Sequence, residues 1–461
     1  MLLNCKKMWV EKVVVFLFFV MLVPFTCASR ATISASGGSS QKLQVQKHLK
    51  KINKPHVKSI KSPDGDIIDC VNVSDQIAFD HPQLNSHKIQ MRPNYHPEGK
   101  IFGERKVSSN SKHITQLWHQ NGRCPKGTIP VRRTRKDEIL RANSIQQFGK
   151  KKQKSFPQPK SQKPLPDGTS PNDHEHAIAY VEGDKYYGAK AIINVWAPQV
   201  QQPNEFSLSQ MWLLGGTFDV DLNTIEAGWQ VTQIADLHMA ATVSHYMVYL
   251  FYIHNNIMSC FFQFYYGNQV SQNIYGDNNT RQFIYWTNDS YKSTGCYNLI
   301  CPGFIQVNND IALGATISPV SNYGSSQYDI SILVFKDPKD GNWWLQVGNE
   351  SLMGYWPGSL FSHLSDSASK IHWGGEVVNS QSDGQHTTTQ MGSGHFPDEG
   401  FGKSSFFKNI QTIDIDNKFK PANDLGSFST KSSCYDVKTG SSSDWGNYFF
   451  YGGPGRNPSC P

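Results

Sequence analysis

The 461 residues hold 38 % hydrophobic side chains and 44 Lys and Arg against 37 Asp and Glu, a composition that excludes a disordered chain and leaves room for more than one domain. The net charge of +7 is divided: residues 1–173 carry 30 Lys and Arg against 12 Asp and Glu, residues 174–461 carry 14 against 25. A basic half and an acidic half in one chain read as two parts that dock on each other, which argues against a nucleic-acid arm.

In chain order, residues 1–28 read as a secretory signal peptide. Lys6, Lys7 and Lys12 precede the apolar run 13–25, and Thr26-Cys27-Ala28 offers small residues for cleavage. The run is too short for a stable membrane anchor, so the mature chain is expected to be secreted or vacuolar, where disulfides persist. Residues 29–60 are polar and basic and are expected to be poorly ordered. Residues 61–148 contain the short apolar groups "DIIDCVNV", "HITQLWHQ" and "GTIPVRR", enough for a small domain. Residues 149–173 are rich in Lys and Pro without an apolar period and read as an exposed linker. From 174 to 461 the texture changes to short runs of Val, Ile, Tyr and Trp bounded by Gly, Pro, Asn or Asp, such as "YYGAKAIINVWAP" and "YDISILVFKDPKDGNWWLQVGN". Their recurrence predicts an all-β domain, an antiparallel β-sandwich or barrel, with Asp340-Gly341 at a hairpin turn. Helical periodicity is scarce, and "SLFSHLSDSA" (359–368) is the best short candidate.

Nine cysteines become seven once Cys5 and Cys27 leave with the signal. Six fall into local pairs, Cys70 with Cys124, Cys296 with Cys301 and Cys434 with Cys460, although six cysteines allow fifteen pairings; Cys260 is left over. No CxxC or His-Cys cluster suggests a metal, and His238, His245 and His254 have no recognised ligand spacing. Asn72, Asn278, Asn288 and Asn349 each open an N-x-S/T sequon and are candidates for N-glycosylation.

The sequence has no G-x-S-x-G elbow, HExxH, P-loop or Rossmann glycine pattern. What remains is two glutamates set in apolar strand sequence, Glu226 in "TIEAGWQV" and Glu376 in "IHWGGEVV". Either could simply face solvent. By strand alternation Glu226 shares a face with Thr224, Gly228 and Gln230, and Glu376 with Gly374 and Val378, while Trp229 and Trp373 point into the core. Each glutamate thus has a glycine two residues away on its own face, which suggests that a ligand chain approaches the backbone closely.

From about His174 to Pro461 the chain resembles the neprosin family of plant secreted glutamic peptidases, through "HAIAYVEGDKYYGAKAIINVWAPQV", "IEAGWQV", "YGDNNTRQFIYWTND", "TGCYNLICPGFIQVNNDIALGATISPVS", "IHWGGEVVNS", "GSGHFPDEGFGKSSFFKNIQ" and "YGGPGRNPSCP". Residues 61–148 resemble the activation domain that precedes the catalytic domain in that family. The resemblance implies a β-sandwich, a removable activation domain, a catalytic pair falling on Glu226 and Glu376, no cofactor, and endopeptidase cleavage of proline-rich polypeptides after proline at acid pH. Two carboxylates across a cleft share one proton, so that one activates water while the other protonates the leaving group; the sequence does not order the roles. A β-scaffold glycosidase with two glutamates, a non-catalytic wall- or carbohydrate-binding sandwich, and a family member inactivated by an insertion stay open as alternatives.

That insertion is the stretch 232–270. Between Thr232 and Gln269 it has no Lys, Arg or Glu, and it interrupts the family motif: deleting it joins the ends as "EAGWQVSQNIYGDNN". It reads as a non-family insert with the composition of a retained intron. A genuine aromatic hairpin is the alternative, and it would expose a large apolar patch.

Overall fold

The computed structural model describes residues 34–97, 115–142, 144–151, 174–233, 274–348, 351–381 and 384–461. The signal-peptide reading, most of the linker, Cys260, Asn349 and the stretch 234–273 lie outside these residues. Two compact units are distinguished: residues 48–239 with 269–461, and residues 1–47 with 240–268. Of the second, only residues 34–47 are described. Among the described residues no helix is long and apolar enough to cross a membrane.

The first element corrects the expectation of disorder over 29–60. Helix α1 spans Ser34–Ile52. Within it Val45, Leu49 and Ile52 recur at helical spacing, and Val45 and Ile52 are buried. The flanking lysines had hidden this stripe in the overall composition.

Strands β1 (Lys58–Lys61), β2 (Ile67–Asn72) and β4 (Thr128–Arg132) form a three-stranded antiparallel sheet in the order β1-β2-β4. The Cys70–Cys124 disulfide closes it onto Trp118, in a small core with Ile60 and Ile68. Strand β3 (Thr115–Gln116) leaves this domain to pair with the following one, and the short helix α2 (Lys136–Arg141) ends it.

After His174 the alternating sequence gives two sheets. The elements are β5 (His174–Tyr186), β6 (Gly188–Asn194), β7 (Phe206–Gly215), β8 (Asn223–Thr232), β9 (Arg281–Thr287), β10 (Ile305–Gln306), β11 (Ile317–Ser318), β12 (Asp329–Lys336), β13 (Trp343–Val347), β14 (Ser351–Trp356), β15 (Ala368–Val378), β16 (Ser405–Ile413), β17 (Phe419–Pro421), β18 (Gly426–Ser429), β19 (Asp436–Ser442) and β20 (Gly446–Gly452). A six-stranded sheet has the order β18-β5-β15-β7-β8-β9. A nine-stranded sheet runs β10-β14-β13-β12-β6-β16-β20-β19, with β17 on β16. All the strand pairings in both are antiparallel.

The sheets pack face to face as a β-sandwich. The Trp229 indole N–H donates to the carbonyl of Asn194 on β6 at 2.9 Å, and the Tyr451 hydroxyl on β20 donates to Ser209 on β7 at 2.6 Å. Trp229 and Trp373 are fully buried, on the inward face that alternation assigns them. Gly341, with φ of +76°, sits in the turn between β12 and β13. The helix expected over 359–368 is a single 3₁₀ turn at Gly358–Leu360. Beyond it the Ser365 hydroxyl bonds the Ser362 carbonyl at 2.5 Å, the local competition by which serine disfavours helix. Disulfides Cys296–Cys301 and Cys434–Cys460 hold loops of the sandwich.

The stretch read as an insert falls between β8 and β9, which are hydrogen-bonded neighbours through Gln230 opposite Arg281. Apart from Thr232, which ends β8, and Gln233, it lies outside the described residues up to 270.

Candidate active site

One strand, β7, separates the two glutamates. Glu226 on β8 lies opposite Trp212, and Glu376 on β15 lies opposite Leu208. Positions 208 and 212 share a side of β7, and cross-strand partners share a face, so both carboxylates stand on the face turned away from the nine-stranded sheet. Between them on β7 stands Gln210, with Gly228 opposite on one side and Gly374 on the other. A strand farther out, Glu226 is level with Tyr285 and Glu376 with His176. Neither glutamate faces solvent: both are 0 % exposed.

The cover comes from two directions. After β9 the chain turns through Ser290 and Tyr291, both at positive φ (58° and 61°), a conformation that costs energy in non-glycine residues. The turn delivers the Tyr291 hydroxyl to Glu226 Oε1 at 2.7 Å. Thr224 donates to the same oxygen at 2.9 Å, and Gln210 Nε2 donates to Oε2 at 3.1 Å. The second cover is Lys151. Its side chain is buried, its ammonium is hydrogen-bonded to Glu226 Oε2, and it lies 5.3–5.7 Å from the ring centroids of Phe283, Tyr285 and Tyr297. Its backbone N–H donates to the Tyr285 hydroxyl at 3.1 Å, and the preceding Gly149 carbonyl accepts from Tyr297 N–H at 2.9 Å. Lys151 falls in the stretch expected to be an exposed linker; the structure places it in the site instead, because an ammonium beside a carboxylate and three ring faces is compensated for the loss of water.

Glu376 is held differently. His174 Nδ1 lies 2.6 Å from Oε1, and His176 Nε2 lies 3.8 Å away. Burial pushes the Glu376 carboxyl up, but the Lys151 charge, the His174 hydrogen bond and the two imidazoles outweigh it and bring it down to about 2. Burial drives His176 the other way, down to about 4, with the Glu376 charge opposing. Glu376 Oε2, Gln210 Oε1 and His176 Nε2 are buried without a hydrogen-bond partner among the described residues.

The domain that ends in Lys151 is bound to the sandwich at several points. Strand β3 pairs with β11, and Gln116 exchanges two 2.8 Å hydrogen bonds with the backbone of Ala312. Gln76 does the same with the backbone of Gln306, at 3.1 and 2.8 Å. Asp66 is buried between Arg132 of its own domain (2.8 Å) and Arg281 of β9 (2.6 Å), and Arg281 also pairs with Asp277. The docking of basic half on acidic half is seen at Arg123–Asp310 (3.0 Å), an exposed pair. The buried Asp66–Arg281 pair has the opposite polarity.

The glycines beside the glutamates answer to neighbouring strands, not to an incoming ligand. A Cβ on Gly228 would stand 2.0 Å from the Ser209 carbonyl oxygen and 2.6 Å from Gln210 Cα; one on Gly374, at φ +152°, would stand 2.3 Å from the Ala177 carbonyl oxygen. The covering residues Lys151, Tyr291, His174 and Gln210 carried no local sequence signal, since each acts on a glutamate through a fold contact. Among the described residues one His/Cys/Asp/Glu group has metal-ligand proximity, His386 with Cys434 and Cys460, but the two sulfurs are joined as a disulfide. Of the glycosylation candidates, Asn72 and Asn278 are exposed and Asn288 is half-buried, its amide donating to the Leu360 carbonyl at 2.7 Å.

The sequence matches the neprosin family profile over residues 241–454 and the neprosin activation peptide profile over residues 59–180. The first begins within the stretch read as an insert and contains Glu376; Glu226 lies outside both. Among solved structures, scytalido-glutamic peptidase with a peptide-based transition-state analogue is 11 % identical, covering 62 % of this chain and 100 % of its own, with a TM-score of 0.30. SCP-B, of the eqolisin peptidases, in complex with Ala-Ile-His, is 9 % identical with the same coverages and a TM-score of 0.28. A β-porphyranase from the human gut bacterium Bacteroides plebeius is 9 % identical, covering 42 % of this chain and 53 % of its own, with a TM-score of 0.19.

Proposed function

The chain belongs to the neprosin family of glutamic-type peptidases made with an activation domain, and on that premise we propose that it is the precursor of a secreted endopeptidase that cleaves after proline at acid pH. The observation that carries this reading is the placement of Glu226 and Glu376 on one buried face of one sheet, with the activation segment's Lys151 seated on Glu226.

With Lys151 in place the pair is charge-compensated and closed to substrate. Its departure removes the strongest influence lowering Glu376, and burial then favours a proton there. Glu226 keeps the donors Thr224, Tyr291 and Gln210, which orient it to take the proton of the attacking water. Glu376, whose Oε2 has no donor among the described residues, carries the shared proton and delivers it to the leaving nitrogen. His174 orients it through Oε1.

The test uses precursor matured at acid pH, offered peptides with and without proline and, separately, wall polysaccharides. Cleavage after proline is expected, with Glu226→Gln and Glu376→Gln each lowering kcat/KM by about 10²-fold or more. Sugar release without peptide cleavage, or undiminished activity in either variant, overturns the reading; cleavage without regard to proline overturns its specificity alone.

A further inference from the structure

We propose that Gln210 is a third catalytic residue, the neutral donor that receives the negative charge developing on the scissile carbonyl oxygen. The inference rests on the two-glutamate reading and names a further group in the same site.

Register places it there. Gln210 is a diagonal neighbour of both glutamates, two residues from Glu226 by way of Gly228 and two from Glu376 by way of Gly374. Diagonal neighbours in a sheet stand roughly 7–8 Å apart, so one side chain on β7 is within reach of a group held between the two carboxylates. The flanking positions are both glycine, so no other side chain of those two rows stands beside Gln210 on β8 or β15. The occupant of that space in the precursor is the Lys151 ammonium, bonded to Glu226 and close enough to Glu376 to shift its titration.

Among the described residues the Gln210 amide nitrogen has one acceptor, Glu226. The side chain is fully buried; Nε2 donates to Glu226 Oε2 at 3.1 Å, and Oε1 has no partner among the described residues. A carboxamide has two N–H donors, so one can hold the base while the second is offered to the substrate. In the step, the water oxygen bonds to the carbonyl carbon and its proton passes to Glu226. The carbonyl π pair moves onto oxygen, where the Gln210 N–H meets it. The pair on oxygen then re-forms the carbonyl as the C–N bond breaks, and the C–N electron pair stays on nitrogen, which takes the Glu376 proton. A fixed neutral donor in a buried site stabilises such charge without reorganising.

The experiment compares matured wild type, Gln210→Ala, Gln210→Glu and Glu226→Gln on one peptide. Gln210→Ala is expected to lose about 10²–10³-fold in kcat with KM little changed. Gln210→Glu keeps the shape but loses the donor while ionised; its activity is expected to recover as pH falls below the wild-type optimum, because a protonated carboxyl donates again. This pH displacement would not follow from a packing role, and it remains readable if the alanine variant fails to fold. Gln210→Ala within about threefold of wild type in kcat, or a wild-type pH profile in Gln210→Glu, overturns the proposal while Glu226→Gln is inactive. An active Glu226→Gln overturns the two-glutamate reading beneath it.

Discussion

His176 is a buried imidazole whose charge the precursor resists. It stands level with Glu376, its ring lies 6.4 Å from that of Trp212, and it is reached by the charges of Glu376, Glu175, His174 and Lys151, with His372 nearby on β15. Burial holds it down to about 4, so the closed form leaves it neutral over the interval from the ordinary value of 6.5 to about 4, where a solvated imidazole takes up a proton. With Lys151 withdrawn the Glu376–His176 pair takes up a proton that the closed form refuses. Opening is therefore favoured as pH falls, and His176⁺ beside Lys151⁺ supplies the repulsion. His176→Gln is expected to need a pH lower by about one unit for the same rate of activation, normalised to the activity of the matured variant. Lys151→Met is expected to develop activity without acid, because nothing then neutralises Glu226 in the closed form. An unchanged activation pH in His176→Gln would show that the sensor is elsewhere.

At the scale of the strand, β7, β8 and β15 hold the catalytic face through close backbone approach. Gly228→Ala would drive a methyl into the Ser209 carbonyl and the Gln210 backbone, atoms that are not flexible side-chain ends. It is expected to destabilise the protein by about 1–3 kcal/mol and to displace Gln210, with kcat falling more than KM rises. Thermal melting of the precursor and steady-state kinetics of the matured enzyme check both parts, and an unchanged melting temperature would contradict the first. Strand β8 also marks what the sequence could show. The two-residue alternation in "TIEAGWQV" places Trp229 inward and Glu226 on the other face, and "IHWGGEVV" does the same for Trp373 and Glu376, because side-chain parity is a local property. Which strand lies between them is not local: β15 pairs with β7 of the consecutive strands β7 and β8 from far along the chain, and this sets Gln210, which no pattern in "SLSQMWLL" marked, between the glutamates. Lys151 is one of three consecutive lysines, and only the fold distinguishes the buried one from its neighbours. In helix α1 the stripe of Val45, Leu49 and Ile52 is diluted by the polar and basic residues around it, so the composition of 29–60 conceals it.

For the whole molecule the question is what keeps the activation domain in place until acid arrives. Its contacts are divided between backbone pairing at β3–β11, amide exchange by Gln116 and Gln76, and ion pairs. The first two kinds do not titrate. Asp66 does: burial raises its carboxyl, but Arg132 and Arg281 outweigh that and hold it below the usual carboxylate range. A depressed carboxylate contributes stability that is present above its unfolded value of about 3.9 and lost as pH falls through the folded value. The Asp66 contact thus survives mild acid and fails only in stronger acid, below the interval in which His176 takes up its proton. This orders the events: the lysine is expelled first, while the activation domain is still docked, and the domain separates later or after cleavage. Asp66→Asn removes one partner of a buried network and leaves Arg281 with Asp277 and the Gly314 carbonyl. Breaking such a pair costs roughly 3–5 kcal/mol. The variant's activation domain, cut from the sandwich by limited proteolysis within 152–173, is expected to separate on size exclusion at neutral pH where the wild-type fragment stays bound. Its dependence of activation on pH through the His176 interval is expected to keep the wild-type midpoint. Retention of the variant fragment at neutral pH would remove Asp66 from the account, and a shifted midpoint would show that docking and expulsion of the lysine are one event.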